Sequence, residues 1–439
     1  MLIKTFYGGV HPPGYKNTSS KPIRPARIPK RVVIPLSQHT GAPCEPAVAV
    51  GDIVKKGTLI GKAAAFISSP VHSSISGRVA KIAQMPHPVL GRSLAAVIEN
   101  DGTIKEEDAP PGAFKDEDIK ALPKEALLET IKNSGIVGLG GAAFPTHVKL
   151  SPPKGKKIDS VILNGAECEP YLTCDERLMI EKSEEMIKGL RVISRILGAD
   201  KAYIAIEDNK PNAIAAMKDA VRRTPYTVRV ISLPTKYPQG AEKSLIKSAL
   251  NRIVPAGGLP MDVGCVVQNA GTAYAVYEAV YLGRPLIERP ITISGDCVSE
   301  PVNLSVRIGT LASDLLSDIG PFIASPGRVI FGGPMMGIAQ YTMDVPVIKG
   351  TSGILFLAKD DVAQYKEGVC IRCAKCLEVC PALLAPTTLA NLVKKSRWAE
   401  AKELGITQCV ECGACAYECP AKIPLVDYIK FGKASIPKR

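Results

Sequence analysis

Between residues 116 and 285 the apolar positions change period every dozen residues or so. KEALLETIKNSG carries its apolar side chains at helical spacing and stops at Gly135, whereas IDSVILN (158–164) is a short continuous apolar run. DERLMIEKSEEMIKGLRVISRILG then reads as one long amphipathic helix, KAYIAIED as a strand and PNAIAAMKDAVRR as a helix. YTVRVIS, AEKSLIKSALNRI, VGCVVQN and TAYAVYEAVYLG continue the alternation of strand and helix. Such alternation predicts a largely parallel sheet covered on both faces. The flanks have other periods. Residues 32–105 hold short strand patterns broken by Gly and Pro turns, and residues 286–358 are again β-rich. There RPITISGDCV, VNLSVRIG and RVIFGG surround one helical pattern, LASDLLSDIG. Near the C-terminus, TTLANLVKKSRWAEAKELG is helical.

That last helical stretch lies between two cysteine runs, CIRCAKCLEVCP (370–381) and CVECGACAYECP (409–420). Cys370, Cys373, Cys376 and Cys380, and then Cys409, Cys412, Cys415 and Cys419, repeat one spacing, C-x2-C-x2-C-x3-C-P. Structural zinc and disulfides are the plain alternatives. Zinc takes CxxC pairs with a longer spacer, and disulfide scaffolds belong to small secreted chains. The spacing resembles that of bacterial two-cluster ferredoxins, in which the fourth cysteine ligates the other cluster. That resemblance implies two [4Fe–4S] clusters, one on Cys370, Cys373, Cys376 and Cys419, the other on Cys409, Cys412, Cys415 and Cys380. The remaining cysteines, Cys44, Cys168, Cys174, Cys265 and Cys297, read as small buried apolar residues.

Composition narrows the class. The chain has 439 residues, 46% of them hydrophobic, enough for several cores. No apolar run reaches the ~18 residues of a membrane helix, and the N-terminus lacks the apolar stretch of a signal peptide. Iron–sulfur thiols need a reducing compartment, so a cytoplasmic location is expected. The formal charge is +13, and Lys4, Lys16, Lys21, Arg24, Arg27, Lys30 and Arg31 all precede the first acidic residue, Glu45. Interleaved prolines make residues 1–31 an extended basic arm. It is either a solvated tail or a dock for an anionic membrane face or an acidic protein. Nucleic acid is not expected: no recognition motif accompanies the charge, and aromatics are 5%.

GLGGAAF (138–144) satisfies G-x-G-x-x-A in letters but follows a helix, so it fails the context of a dinucleotide fingerprint. A tight turn explains it equally well. Downstream, NGAECEP (164–170) gathers Asn164, Glu167 and Glu169 at a strand end, where α/β sheets bind ligands. GLGGAAFPTHVK and NGAECEP together resemble the GRGGAGFPTG-x-K and NADE-x-EP signatures of the flavin- and NADH-binding subunit of respiratory complex I. YPQGAEKSLI (237–246) and QNAGT (268–272) resemble later flavin-site segments of that family. GDIVKKGTLIG and SSPVHSSISGRVAKI resemble the two halves of a biotinyl/lipoyl-type barrel sandwich, without a lysine between Ala63 and Ser76 to carry a prosthetic arm.

Taken together, the chain resembles the C-subunit family of Rnf complexes, membrane-bound ferredoxin:NAD+ oxidoreductases. The resemblance implies a multidomain α/β protein: the basic arm (1–31), a barrel-sandwich hybrid (32–105), a Rossmann-like FMN and NAD(H) domain (116–285), a β-grasp SLBB-like domain (286–358) and a helical ferredoxin domain (361–439). It implies non-covalent FMN, with Gly138, Gly140 and Gly141 beside the phosphate and Lys149 on the flavin. Asn164, Glu167, Gly240, Glu242, Asn269 and Thr272 complete the shell, while Phe144 and Glu169 face the nicotinamide side. The catalytic set is then Glu169, Lys149 and Phe144. Leu139, Ala166, Ala241 and Gln268 depart from the family pattern, and Pro152 falls where an adenine-stacking aromatic is expected. Implied partners are the ferredoxin-like B subunit and the membrane subunits of the complex, with the chain peripheral on the cytoplasmic face of the cell membrane. A cobalamin reductase of microcompartments and a diaphorase subunit of a soluble hydrogenase or dehydrogenase share these parts and stay open; the ferredoxin run argues against a pure scaffold.

Overall fold

The computed structural model describes residues 5–100, 102, 114–359 and 366–436. Lys4 and the expected domain ends at 105, 361 and 439 lie outside the described residues.

The central sheet has four parallel strands in the order Val228–Leu233, Lys201–Glu207, Ser160–Gly165, Cys265–Asn269. Its middle strand buries Val161, Ile162 and Leu163 completely, as a strand covered on both faces must. Register pairs Asn164 with Asn269 on adjacent strands, so two amide side chains stand together at the carboxyl edge. The expected long helix is two helices, Cys174–Glu181 and Ser183–Leu197, parted at Lys182 (φ −132°, ψ 34°). The second packs Met186, Ile187, Leu190 and Ile193 inward and crosses helix Ala270–Leu282 so closely that a Cβ on Gly189 would lie 1.8 Å from the Ala273 carbonyl.

Residues 32–99 form two small sheets around Val32, Ile34, Ile60, Val71, Val79 and Ile98. Beyond the central sheet a mixed six-stranded sheet runs in the order Ile23–Pro25, Val302–Arg307, Glu288–Ser294, Gly353–Ala358, Pro326–Phe331, Ile338–Gln340. The helical pattern LASDLLSDIG yields only a 3-10 turn, Asp314–Asp318. The amides of Ala312 and Ser313 bond the carbonyls of Val345 and Met343, which holds the start of the pattern against that segment.

The first strand of that sheet comes from the basic segment, so these residues are extended but not free. Gly9 N–H bonds the Val379 carbonyl (2.8 Å), Val10 bridges to Tyr237, and Tyr171 N–H bonds the Gly14 carbonyl (2.8 Å). Lys21 donates to the Pro301 carbonyl (2.8 Å), Arg24 to the Asp318 carbonyl, and Arg27 faces Asp318. Most of the charge counted in this segment is engaged within the chain.

The cysteine runs form an internal repeat in three dimensions. Arg372, Ala374 and Leu383 have left-handed backbones, and so do Glu411, Gly413 and Lys422, each 39 residues on. Helices Lys375–Glu378 and Pro386–Lys394 likewise correspond to Ala414–Tyr417 and Leu425–Ser435. The identical cysteine grammar folds into identical turns.

The seam between the sandwich and the α/β domain is lined by histidines. His39 Nε2 lies 2.9 Å from the Ala42 carbonyl and His147 Nε2 lies 3.1 Å from that of Phe66. Lys349 donates across the seam to Pro70 and Gly135, both at 2.7 Å. The Nδ1 atoms of His39, His72 and His147 are buried without a partner. Burial first, with the nearby Lys349 charge adding, pushes His39 down to about 4 and His72 to about 3. Burial likewise lowers His147, with Lys132 lowering it further and Glu129 opposing.

A histidine kept neutral in the fold takes up its proton only on opening. The stability of the seam is therefore full above the ordinary histidine range and falls as pH drops from about 6.5 towards 4. By pH 5 each of His39 and His72 is expected to withdraw ~2 kcal/mol. Thermal melts between pH 7.5 and 5 should show a falling midpoint, and His72→Asn should flatten that slope; an unchanged slope would count against this account.

Candidate functional site

The glycine loop leaves helix Lys124–Asn133 and enters the short helix Thr146–Lys149. It is closed by the Gly138 N–H on the Phe144 carbonyl (2.9 Å) and a bridge between Val137 and Pro145. Three outside groups fix it. Thr272 Oγ accepts from Leu139 N–H (2.9 Å), buried Arg289 donates to the Leu139 carbonyl (3.2 Å), and Thr40 Oγ donates to Ala142 (2.9 Å). Gly141 has φ +107°, and a Cβ there would meet nothing within 4 Å. The loop is thus held from behind and open in front, with main chain rather than side chain facing the opening.

The strand-end residues stand round that loop. Asn164 Nδ2 donates to the Gly240 carbonyl (2.9 Å) and Asn164 Oδ1 accepts from Ala166 N–H (3.1 Å). Asn269 caps helix Ala270–Leu282 through Thr272 N–H (3.2 Å), while its Nδ2 donates to Asp175 (2.6 Å). A Cβ on Gly140 would rest 3.5 Å from Asn269. Lys149 pairs with Glu242, both partly exposed. Phe144 is half-buried. Gly138, Gly140, Gly141, Lys149, Asn164, Gly240, Glu242, Asn269 and Thr272 therefore form one connected cradle, although they lie on separate stretches of chain.

The two glutamates are turned elsewhere. Glu167, with φ +45°, accepts from the N–H groups of Asp175 (2.7 Å) and Glu176 (3.1 Å). It caps helix Cys174–Glu181, where the helix dipole favours a carboxylate. Glu169 accepts from Met335 (3.1 Å) and Met336 (2.9 Å), tying the strand end to the turn after strand Pro326–Phe331. Burial pushes Glu169 up to about 7 against those hydrogen bonds. Burial, then the Glu167 charge, raises Asp175 to about 7 as well.

Tyr237 is the hinge of the arrangement. Its hydroxyl lies against Glu169 and donates to the Cys412 carbonyl (2.7 Å). Cys412 packs with Val10, Tyr237 and Ala414, and Cys168 and Met335 pack against that group. Residues 237–242 hence touch the cysteine region at Tyr237, Asn164 at Gly240 and Lys149 at Glu242.

In the cysteine region, Cys380, Cys409, Cys412 and Cys415 line one small cavity. Its other walls are apolar, with Pro381, Leu384, Val426 and Ile429 among them. Four thiols round an apolar cavity suit a cubane cluster. Cys376 and Cys419 are buried together with Ile423 and Leu425, while Cys370 and Cys373 are exposed. Tyr237, Asp175, Arg289 and Lys16 were not among the residues expected from sequence. Only Tyr237 had a local signal, its place in YPQGAE; each of the others has at least one partner more than 90 positions away.

Models of known families match three regions of the chain. The Nuo51 FMN-binding domain matches residues 131–278, the RnfC barrel sandwich hybrid domain residues 4–103 and a 4Fe-4S dicluster domain residues 368–423. The C subunit of the proton-translocating ferredoxin:NAD(+) oxidoreductase complex of Clostridium ljungdahlii is 51% identical over 435 residues, covering 99% of this chain and 94% of that protein. The Na(+)-translocating counterpart from Acetobacterium woodii is 45% identical, covering 98% of this chain and 97% of its own. Among solved structures, an air-oxidised NAD+-reducing [NiFe]-hydrogenase matches with a TM-score of 0.52 at 19% identity, over 73% of this chain and 64% of that one, which is a likeness of fold.

Tyr237→Phe keeps the ring and removes the hydroxyl, with its bond to the Cys412 carbonyl and its contact with Glu169. A neutral buried hydrogen bond is worth about 1 kcal/mol, so amide exchange at residues 412–415 should accelerate about fivefold; unchanged exchange would show that the bond does not hold this contact.

Proposed function

The chain belongs to the C-subunit family of ion-translocating ferredoxin:NAD+ oxidoreductases, and on that premise we propose how its own residues divide the work. It is an electron-transfer subunit of an Rnf-type membrane oxidoreductase, with FMN, two [4Fe–4S] clusters and NAD(H), and ion translocation takes place elsewhere in the complex. FMN supplies the step between two-electron hydride exchange with NAD(H) and one-electron transfer to iron–sulfur clusters.

The observation that carries the residue assignment is the 237–242 segment, which joins the glycine cradle to the cysteine cavity through adjoining contacts. The cradle suits FMN: an open left-handed glycine turn presents main chain to a phosphate. Lys149, held by Glu242, supplies a positive group at its rim. Asn164 and Asn269, locked by Gly240 and by Thr272 and Asp175, orient amides at the strand ends. Glu167 serves that strand end by fixing helix Cys174–Glu181, and Glu169 by fixing the Met335–Met336 turn on the dinucleotide side. Phe144 walls the nicotinamide space. Tyr237 seats the second cysteine run against this pocket, which shortens the distance an electron has to travel.

The cysteine ligation is crossed in this reading. Cys380 shares its cavity with Cys409, Cys412 and Cys415, and the 39-residue repeat makes the reciprocal set Cys370, Cys373, Cys376 and Cys419. The chain sits peripherally on the cytoplasmic face of the membrane beside the ferredoxin-like B subunit and the membrane subunits. No helix among the described residues is long and apolar enough to cross a membrane.

Two experiments test these assignments. Gly141→Val fills the open face of the cradle and is expected to abolish FMN retention while iron content stays at wild-type level. Glu169→Gln should retain FMN but slow its anaerobic bleaching by NADH. Bound FMN in the first variant, or wild-type bleaching in the second, would remove the corresponding role.

For the clusters, Cys380→Ser and Cys419→Ser should perturb different signals in paramagnetic resonance of the reduced protein. The Cys380 variant should alter the signal that Cys412→Ser alters, and the Cys419 variant the one that Cys373→Ser alters. The opposite pattern would mean that each run ligates its own cluster.

A further inference from the structure

Loop 165–173 has an awkward backbone. Glu167 and Tyr171 both adopt left-handed conformations, at φ +45° and +67°, which L-residues hold only when their surroundings impose them. The same loop places the Glu167 carboxylate on a helix N-terminus and the Glu169 carboxylate on the Met335 and Met336 amides. Its main-chain carbonyls consequently turn inward, and those of Glu167, Glu169 and Leu172 converge on one point.

Lys16 occupies that point. Its ammonium donates to Glu167 O (2.8 Å), Glu169 O (2.8 Å) and Leu172 O (2.6 Å), so all three of its donors are used on one loop. Its neighbours secure the approach. Tyr15 stacks on Tyr171 at 4.8 Å, Gly14 accepts from Tyr171 N–H, and Thr18 and Thr173 share a 2.6 Å hydrogen bond. Burial lowers the affinity of Lys16 for its proton, with Lys210 acting in the same sense and Glu167 and Glu207 opposing. Lysines in the same segment are used differently: Lys21 makes one exposed bond, to the Pro301 carbonyl.

We infer that Lys16 is a positioning residue of the redox site: its ammonium is the internal cation that holds the 165–173 loop in shape, and through it Asn164, Glu167 and Glu169. Three inward carbonyls without a positive partner would be a buried, uncompensated array of acceptors. A lysine brought in from the N-terminal segment fills the role that a bound metal ion plays in other carbonyl cages. The inference rests on the FMN reading above for its functional consequence but not for the clamp itself.

The test uses the full chain with its clusters. Lys16→Met keeps the stem and removes the charge. Amide exchange at residues 166–173 should accelerate at least about tenfold and FMN affinity fall at least about tenfold, as for loss of hydrogen bonds to a charged group. Exchange over residues 32–99 and iron content should stay as in the wild type, and Lys21→Met should change neither readout. Lys16→Ala should regain FMN binding with added propylammonium chloride but not with sodium chloride, a rescue that lost apolar packing would not give. Wild-type exchange in the loop, or wild-type FMN affinity, in Lys16→Met would overturn the inference. Failure of the wild-type chain to bind FMN would instead remove the FMN reading and leave loop exchange to judge the clamp.

Discussion

A peptide group withdrawn from water has to find a partner, and the strand-end loop at 165–173 meets that requirement with a single amine. The loop turns carboxylates outward to cap a helix and to bind a neighbouring turn, which forces main-chain carbonyls inward. An amine carried in from residue 16 satisfies them. Three residues at the carboxyl edge of the central sheet adjoin that loop. Asn164 precedes it, Asp175 follows it, and Tyr237 stands against the Glu169 side chain it presents.

The same requirement makes the two redox sites one assembly. Residues 237–242 contact the cysteine cavity at one end and the glycine cradle at the other. The N-terminal segment crosses the same junction, bonded to Val379 beside Cys380 and bridged to Tyr237 before it reaches the loop. Rigid short-range contacts of this kind suit electron transfer, where a small change in separation matters more than a change in chemistry. Ion translocation makes no comparable demand here. Two relatives that align along nearly the whole chain are named for different ions, protons in one and sodium in the other, as expected if the choice of ion lies elsewhere in the complex.

Charge is used more locally than a formal total of +13 suggests. In the N-terminal segment, Lys16, Lys21 and Arg24 donate to carbonyls of the chain itself, and Arg27 faces Asp318. The acidic residues of NGAECEP behave in the same way: Glu167 and Glu169 are taken up by main-chain amides. Side chains whose letters suggest ligands or partners serve first to satisfy backbone.

Periodicity in the sequence determined the parallel sheet, because buried strands and amphipathic helices have patterns that no tertiary contact needs to supply. Cysteine spacing determined the two iron–sulfur turns, since ligation by three thiols of a tight loop is a local geometric matter. Motif resemblance brought together Gly140, Lys149, Asn164, Gly240 and Asn269. Tertiary structure decided the rest. The break at Lys182 left no mark in the apolar pattern, which runs on through both helices. LASDLLSDIG became a 3-10 turn whose leading residues, Ala312 and Ser313, are bonded to Val345 and Met343. Glu167 and Glu169 were legible as acids at a strand end, but not as caps, because the amides that they accept from become neighbours only on folding. Lys16 was legible only as one positive charge among seven. Its three carbonyl partners lie 151 to 156 positions away, and a hydrogen bond between main chain and a distant side chain leaves no pattern in sequence.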